Sequence, residues 1–255
     1  MKKEIAIAIA AFFSITLSVI TYAYAVEVND KMMVISEDKI DVSGNGKKDS
    51  IVLKGVPYEE GTKFLKEIQL EINASNGKSY KVDLDPGYSP AIQYVDLNQD
   101  GVTDLFISIN SGGSGGISYY YLYTLKDFKL LDLGVPDPLV INSQFINDYK
   151  ASITIDETGQ SYTFDLRNRA NEYERLGLYQ HGKLSEPMEL MVDPYSTLKP
   201  LQMKDKKYGL MGIQAISGTN HADRIALVEA AWNYENGKWV LKNTNVLQTN
   251  SGKQK

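Results

Sequence analysis

The stretch AIQYVDLNQDGVTDLFISI, residues 91–109, decides how the chain is read. Apolar side chains alternate on either side of an acidic turn, in AIQYV (91–95) and in LFISI (105–109), and strict alternation marks a β-strand with one face toward a core. Between them DLNQDGVTD (96–104) sets an oxygen-bearing side chain at alternate places, then a glycine, then one more carboxylate. The segment is therefore a strand, a tight turn and the strand's antiparallel partner. A glycine loop, NSGGSGG (110–116), then leads into ISYYYLYTL (117–125) and, past a turn near Asp127, into FKLLDL (128–133). That makes a meander of four strands.

Working outward, the same order recurs. MMVIS and its continuation to Ile40 enter the turn DVSGNGKKD (41–49), SIVLK leaves it, and EIQLEI pairs through NASNGK with SYKVDL. Near the other end LKPLQM, LMGIQAIS, RIALVEAAWNY and KWVLKNTNV follow one another, with GTNHAD (218–223) in the place of the glycine loop. Between these copies lies a less regular segment whose clearest feature is the hairpin ASITIDETGQSYTFDL (151–166). The expected organisation is one repeat-built β domain over residues 26–255, with units at about 30–85, 88–134, 140–190 (degraded) and 197–247. Four-stranded meanders of this length cannot bury both faces unless they stack, so the expected fold is all-β and β-propeller-like with about four blades. A β-sandwich or open barrel built from the same hairpins is the competing architecture.

The acidic turns point to a cation. Calcium takes six to eight oxygen ligands, and a turn offering oxygens at positions one, three, five, seven and nine, with glycine at six, wraps around it. In the second unit these are Asp96, Asn98, Asp100, the carbonyl of Val102 and Asp104, with Gly101 at the bend. In the first they are Asp41, Ser43, Asn45, the carbonyl of Lys47 and Asp49, with Gly46 at the bend. The second turn has three carboxylates against two and is the stronger candidate. An EF-hand would need glutamate at position twelve and flanking helices, whereas Val52 and Ile107 stand there inside strand patterns. Plain hairpin turns rich in Asp, Asn and Gly are the competing reading, although SNGK, ENGK, HGK and ETGQ turn here without gathering carboxylates. The third copy has only Asp205 among lysines and is assigned no metal.

DVSGNGKKDSIVL and DLNQDGVTDLFISI resemble the calcium-binding FG-GAP or VCBS-type repeats of integrin α-subunit propellers and of many secreted bacterial proteins. The order of turn, strand, SGGSGG and tyrosine-rich strand is similar to secreted repeat proteins of Gram-positive spore-forming bacteria. The resemblance spans residues 40–246, strongly in the first two units and weakly after Leu133. It implies calcium, a propeller-like fold, and adhesion, ligand binding or a surface role rather than a reaction. The missing acidic cluster of the last unit and the truncated third unit depart from that pattern.

The chain's first 25 residues have a Lys2-Lys3 head, an apolar run from Ile5 to Ile20, and small residues at Ala23 and Ala25. That is the pattern of a cleaved signal peptide, and the run is short for a membrane span. Cleavage removes two lysines and one glutamate and moves the formal net charge from −5 to −6, which argues against nucleic acid as a partner. The absence of cysteine excludes disulfides, thiolate metal sites and a cysteine nucleophile. Gly112 to Gly116 formally satisfy G-x-S-x-G around Ser114, and His221 lies in the corresponding loop of the last unit, but a nucleophile elbow needs a helix where residues 117–125 read as a strand. His181 reads as a solvated turn residue. Tyr119, Tyr121 and Tyr123 share one side of their strand and Tyr120 takes the other; packing explains them, with glycan binding as the functional alternative. Trp232 and Trp239 read as core or cross-strand partners.

The expectation is thus a secreted, calcium-stabilised, non-catalytic binding or surface protein. It would meet a protein or glycan ligand at the cell or spore surface, with no nucleic acid and no stable membrane span. The alternative is an exported hydrolase acting on cell-wall or environmental polymers.

Overall fold

A computed structural model describes residues 32–203 and 206–249. The segment read as a signal peptide, residues 1–25, lies outside them. The described chain is all-β, with seventeen strands and one short α-helix. No helix among the described residues is long and apolar enough to cross a membrane.

The first eight strands are β1 (Met33–Ile40), β2 (Asp49–Pro57), β3 (Phe64–Asn73), β4 (Ser79–Leu84), β5 (Gly87–Val95), β6 (Asp104–Asn110), β7 (Ser118–Thr124) and β8 (Leu131–Asp132). They share one sheet in the order β1-β2-β3-β5-β6-β7-β8, with β4 also on β3. β3 serves both β4, along residues 68–73, and β5, through two rungs, Phe64 opposite Tyr88 and Leu65 opposite Gly87. Two four-stranded groups are joined at this corner. A three-stranded antiparallel sheet follows, β9 (Ile141–Ile146), β10 (Lys150–Ile155) and β11 (Gln160–Asp165). Helix α1 (Ala170–Arg175) and the small hairpin of β12 (Tyr179–Gln180) and β13 (Lys183–Leu184) come next. The last sheet, β14 (Met191–Gln202), β15 (Tyr208–Ser217), β16 (Arg224–Glu235) and β17 (Lys238–Gln248), runs in sequence order with antiparallel neighbours. Among the described residues no sheet closes on itself.

Alternation along the strands builds two cores. Ile51 and Leu53 of β2 and Leu70 and Ile72 of β3 pack with Leu105, Ile107 and Ile109 of β6, all without exposure to solvent. The opposite face of the second group carries Phe106 and Leu122 into a larger core with Phe145, Ile153, Leu198 and Val228. β6 is thus buried on both sides. Tyr120 stacks on Phe106 at 5.9 Å between ring centres, and its hydroxyl accepts the N–H of Leu198 at 2.9 Å. The tyrosine-rich strand therefore divides its rings between two layers, Tyr121 and Tyr123 stacking on one side and Tyr120 on the other.

The connection from the first sheet to the rest, residues 133–140, has no ladder of its own and is tied down by side chains. Buried Gln214 accepts the N–H of Leu139 at 2.8 Å and donates to its carbonyl at 3.2 Å. The Tyr195 hydroxyl donates to the carbonyl of Asp137 and the Trp239 indole to that of Gly134. An extended linker that would otherwise leave buried backbone groups unpaired is satisfied in this way.

Because Phe106 is the large side chain that β6 contributes to the second core, Phe106→Ala is expected to cost roughly 3–5 kcal/mol. Urea unfolding of the two proteins measures it, and a loss below about 1 kcal/mol would mean that β6 is not packed on this face.

Candidate functional site

Two turns are built alike, position by position. In the first, Asp41 accepts the N–H groups of Gly44, Asn45 and Gly46 at 2.8, 3.3 and 2.7 Å, and Asp49 Oδ2 accepts those of Val42 and Ser43 at 3.0 and 3.1 Å. In the second, Asp96 accepts the N–H groups of Asp100 and Gly101 at 3.1 and 3.0 Å, and Asp104 Oδ2 accepts those of Leu97 and Asn98 at 2.9 and 3.2 Å. Position one thus caps the bend and position nine holds positions two and three. Position two is a fully buried apolar residue in each case, Val42 or Leu97, and it anchors the turn to a core. The glycines at position six, Gly46 and Gly101, have φ of +80° and +84°, which only glycine adopts without strain.

The remaining predicted ligands lie in the same turns. Asn98 Oδ1 accepts the N–H of Asp100, Asp100 Oδ1 that of Val102, and Asn45 Oδ1 that of Lys47. The Ser43 hydroxyl faces Asp41 at 3.4 Å. The two turns also meet, since a Cβ built on Gly44 would stand 2.7 Å from Cγ2 of Val102. A 3-10 turn at Lys126–Phe128 bridges them. Its Asp127 N–H donates to the carbonyl of Ser43, and its Lys126 ammonium lies 3.0 Å from the Asp100 carbonyl and 3.4 Å from Asp100 Oδ2. Sequence reasoning did not assign Lys126 to the site; it lies about 25 residues beyond the turn, and only the meander folds it back.

The turns differ at position nine. Asp49 is satisfied on both oxygens, because Oδ1 accepts the N–H of Ser75 at 2.7 Å while Asn45 reaches the Ser75 hydroxyl at 2.9 Å. Asp104 is fully buried, and its Oδ1 has no hydrogen-bond partner. Burial pushes the Asp104 carboxyl up to about 6, against the lowering effect of the Leu97 and Asn98 N–H groups. At Asp41 burial acts in the same upward direction, but the N–H groups of Gly46, Gly44 and Asn45 outweigh it and hold the carboxyl below its ordinary value. Among the described residues no three acidic or imidazole side chains are already grouped as a metal set. The carboxylates of these turns are directed at backbone N–H groups.

A second cluster lies on the loop between β15 and β16. His221 Nδ1 is 3.2 Å from Oδ2 of Asp193, which is buried on β14 at a register shift between Val192 and Tyr195. The loop itself is braced by Asp223, which accepts the Thr219 N–H, the Tyr173 hydroxyl and the Arg169 guanidinium. The glycine loop approaches it, with a Cβ built on Gly115 falling 3.6 Å from Cε1 of His221. Ser114 is exposed on that loop, and strand β7 follows it, so the strand-to-helix turn of a nucleophile elbow is absent there. Asp193 was not singled out from the sequence; the Asp193-Pro194 pair inside a strand pattern is the signal of the bulge that aims it. His181 stands apart, on a turn with φ of +50°.

The family described as the YybI C-terminal domain matches residues 139–247. The chain is also similar to the uncharacterised protein YybI of Bacillus subtilis strain 168, at 28% identity over 223 residues that cover 83% of this chain and 84% of that protein. The family match begins where Gln214 pins the linker, so it takes in His221 and Asp193 and leaves both acidic turns outside.

The raised carboxyl of Asp104 has a consequence for the calcium-free protein. Its folded form holds a proton more tightly than the unfolded chain, so the stability it contributes is fully present near pH 4 and is lost as pH rises through about 6. Wild type in chelator is expected to gain on the order of 2–3 kcal/mol at pH 4.5 over pH 7 relative to Asp104→Asn. Urea titrations of both proteins at the two pH values check this; parallel behaviour would show that Asp104 is not strained by its charge.

Proposed function

We propose that the chain is a secreted, calcium-stabilised binding or surface protein built from FG-GAP/VCBS-like repeats, with its four strand groups arranged as the blades of a small propeller. The observation that carries the reading is the unpartnered, fully buried Oδ1 of Asp104 inside a turn whose other side chains present oxygen. A buried carboxylate oxygen with no donor is costly, and a hard cation is the partner such a donor set suits. Asp96, Asn98, Asp100, the Val102 carbonyl and Asp104 would hold the ion, which would supply the positive charge that the turn lacks. In its absence the Lys126 ammonium supplies part of that charge, and with a side chain 41% exposed it is free to swing into solvent. The first turn, satisfied on both Asp49 oxygens, has less need of an ion and would take one more weakly through Asp41, Ser43, Asn45, the Lys47 carbonyl and Asp49.

Melting curves in calcium, magnesium and chelator test the proposal. Calcium at a hundredfold excess over its Kd stabilises the folded state by about 2.7 kcal/mol. Asp100→Ala is expected to abolish most of that gain, Asp41→Ala a smaller part, and Lys126→Met to increase it by removing the competing cation. Magnesium should substitute poorly because it demands a near-octahedral shell. Curves that coincide in all conditions would make these turns ordinary hairpins.

The pairing of His221 with buried Asp193 beside the glycine loop favours a second reading, an exported hydrolase in which this imidazole is the general base. The two readings separate on a panel of ester, peptide and glycoside substrates. The binding protein is expected to show no turnover that His221→Ala removes, and an activity lost in that variant with the melting curve unchanged would establish the enzyme. If there is an activity, Ser114→Ala is expected to retain it.

A further inference from the structure

The connection between β2 and β3 is folded tightly onto itself. The Tyr58 N–H donates to the Phe64 carbonyl at 2.9 Å, and the Thr62 hydroxyl donates to the carbonyl of Glu59 at 2.8 Å. This presents three aromatic rings in series. Tyr58 meets Phe64 edge to face at 6.4 Å, and Phe64 meets Tyr88 of β5 edge to face at 5.1 Å. Tyr88 is set in turn against the glycine loop, where a Cβ built on Gly112 would lie 2.7 Å from its ring. The rings bound an open cavity of about 620 Å³ lined by Tyr58, Thr62, Lys63, Phe64 and Tyr88. Tyr58 remains 59% exposed and Tyr88 38% exposed, and among the described residues neither hydroxyl has a hydrogen-bond partner.

Rigid, exposed aromatic faces with unused hydroxyls at their tips are costly on a surface unless something covers them. The charge of the lining narrows what that is. Lys63 is the one charged residue that lines the cavity, it makes no ion pair among the described residues, and no carboxylate shares the lining on a chain of net charge −5. The site is locally positive on an acidic protein, which repels cations and complements an anion. An amphiphilic ligand is required, with a flat C–H face for the rings, hydroxyls for the tyrosine tips and an acidic group for Lys63. We propose that this cavity is a subsite for a glycan bearing carboxylates, a sugar ring resting on Tyr58 and Tyr88 with its carboxylate at Lys63. The proposal rests on the reading of the chain as a binding protein and names the chemistry of its ligand.

The test is retention of the full chain on immobilised polygalacturonate, an acidic glycan, against dextran, a neutral one, for wild type, Tyr58→Ala and Lys63→Met. Wild type is expected to bind polygalacturonate in preference to dextran. Tyr58→Ala should weaken that binding about tenfold, the size of a lost aromatic contact. Lys63→Met should erase the preference between the two polymers. Tyr58 and Lys63 are exposed, so both variants should melt with wild type and keep its response to calcium; that response, read on the same samples, tests the calcium reading separately. Wild type that ignores polygalacturonate, that binds dextran equally well, or that binds a hydrophobic peptide column instead would overturn the proposal, as would full binding by Tyr58→Ala.

Discussion

Every layer of this protein meets at β6, and the constraint on that strand is its register. Leu105, Ile107 and Ile109 must face one core and Phe106 the other, because a slip of one residue along a strand exchanges its two faces. What pins the register is the first residue of the strand. Asp104 reaches back across the turn to the N–H groups of Leu97 and Asn98 and so fixes where β6 begins relative to β5. The acidic turn thus serves the cores before it serves any ligand, and Leu97, held by that same carboxylate, is itself a core residue.

The same device placed twice has been completed differently. At Asp49 the neighbouring turn between β3 and β4 leans in and donates the Ser75 N–H, leaving the first site self-sufficient. At Asp104 the corresponding oxygen is sealed from solvent without a donor, and a lysine from the 3-10 turn supplies charge to its neighbour Asp100. A buried group left unmatched in an otherwise satisfied network is where a ligand has the most to offer. The difference between the turns therefore lies less in their own side chains than in what the following hairpins bring to them.

Much of the fold was legible in residues 91–109 and in their echoes, because period-two alternation and turn chemistry are local signals. The hairpin at 151–166 and the four strands of the last sheet stand where their apolar spacing places them. The features that were not legible depend on distance. The two-rung joint between Phe64–Leu65 and Gly87–Tyr88 follows from where β3 outruns β4, and no pattern within either strand announces it. Asp193 and His221 are 28 residues apart and meet only because a bulge turns the former inward. Lys126 carries no motif, and its place beside Asp100 is a product of the meander. Strand alternation accounts for Tyr120 facing away from Tyr121 and Tyr123, whereas which rings would stack required the opposing sheet.

The two cores differ in how much chain each needs. The one between the first two strand groups draws its buried residues from positions 42–125 alone, whereas the other draws them from positions as far apart as Leu97 and Trp232. A chain that appears N-terminus first has everything required for the former while its last hundred residues are still to come. Phe106 and Leu122 then wait on an uncovered face until β14–β17 arrive. The order of assembly is written into the contact separations: short-range closure first, then docking of a late sheet onto a finished one.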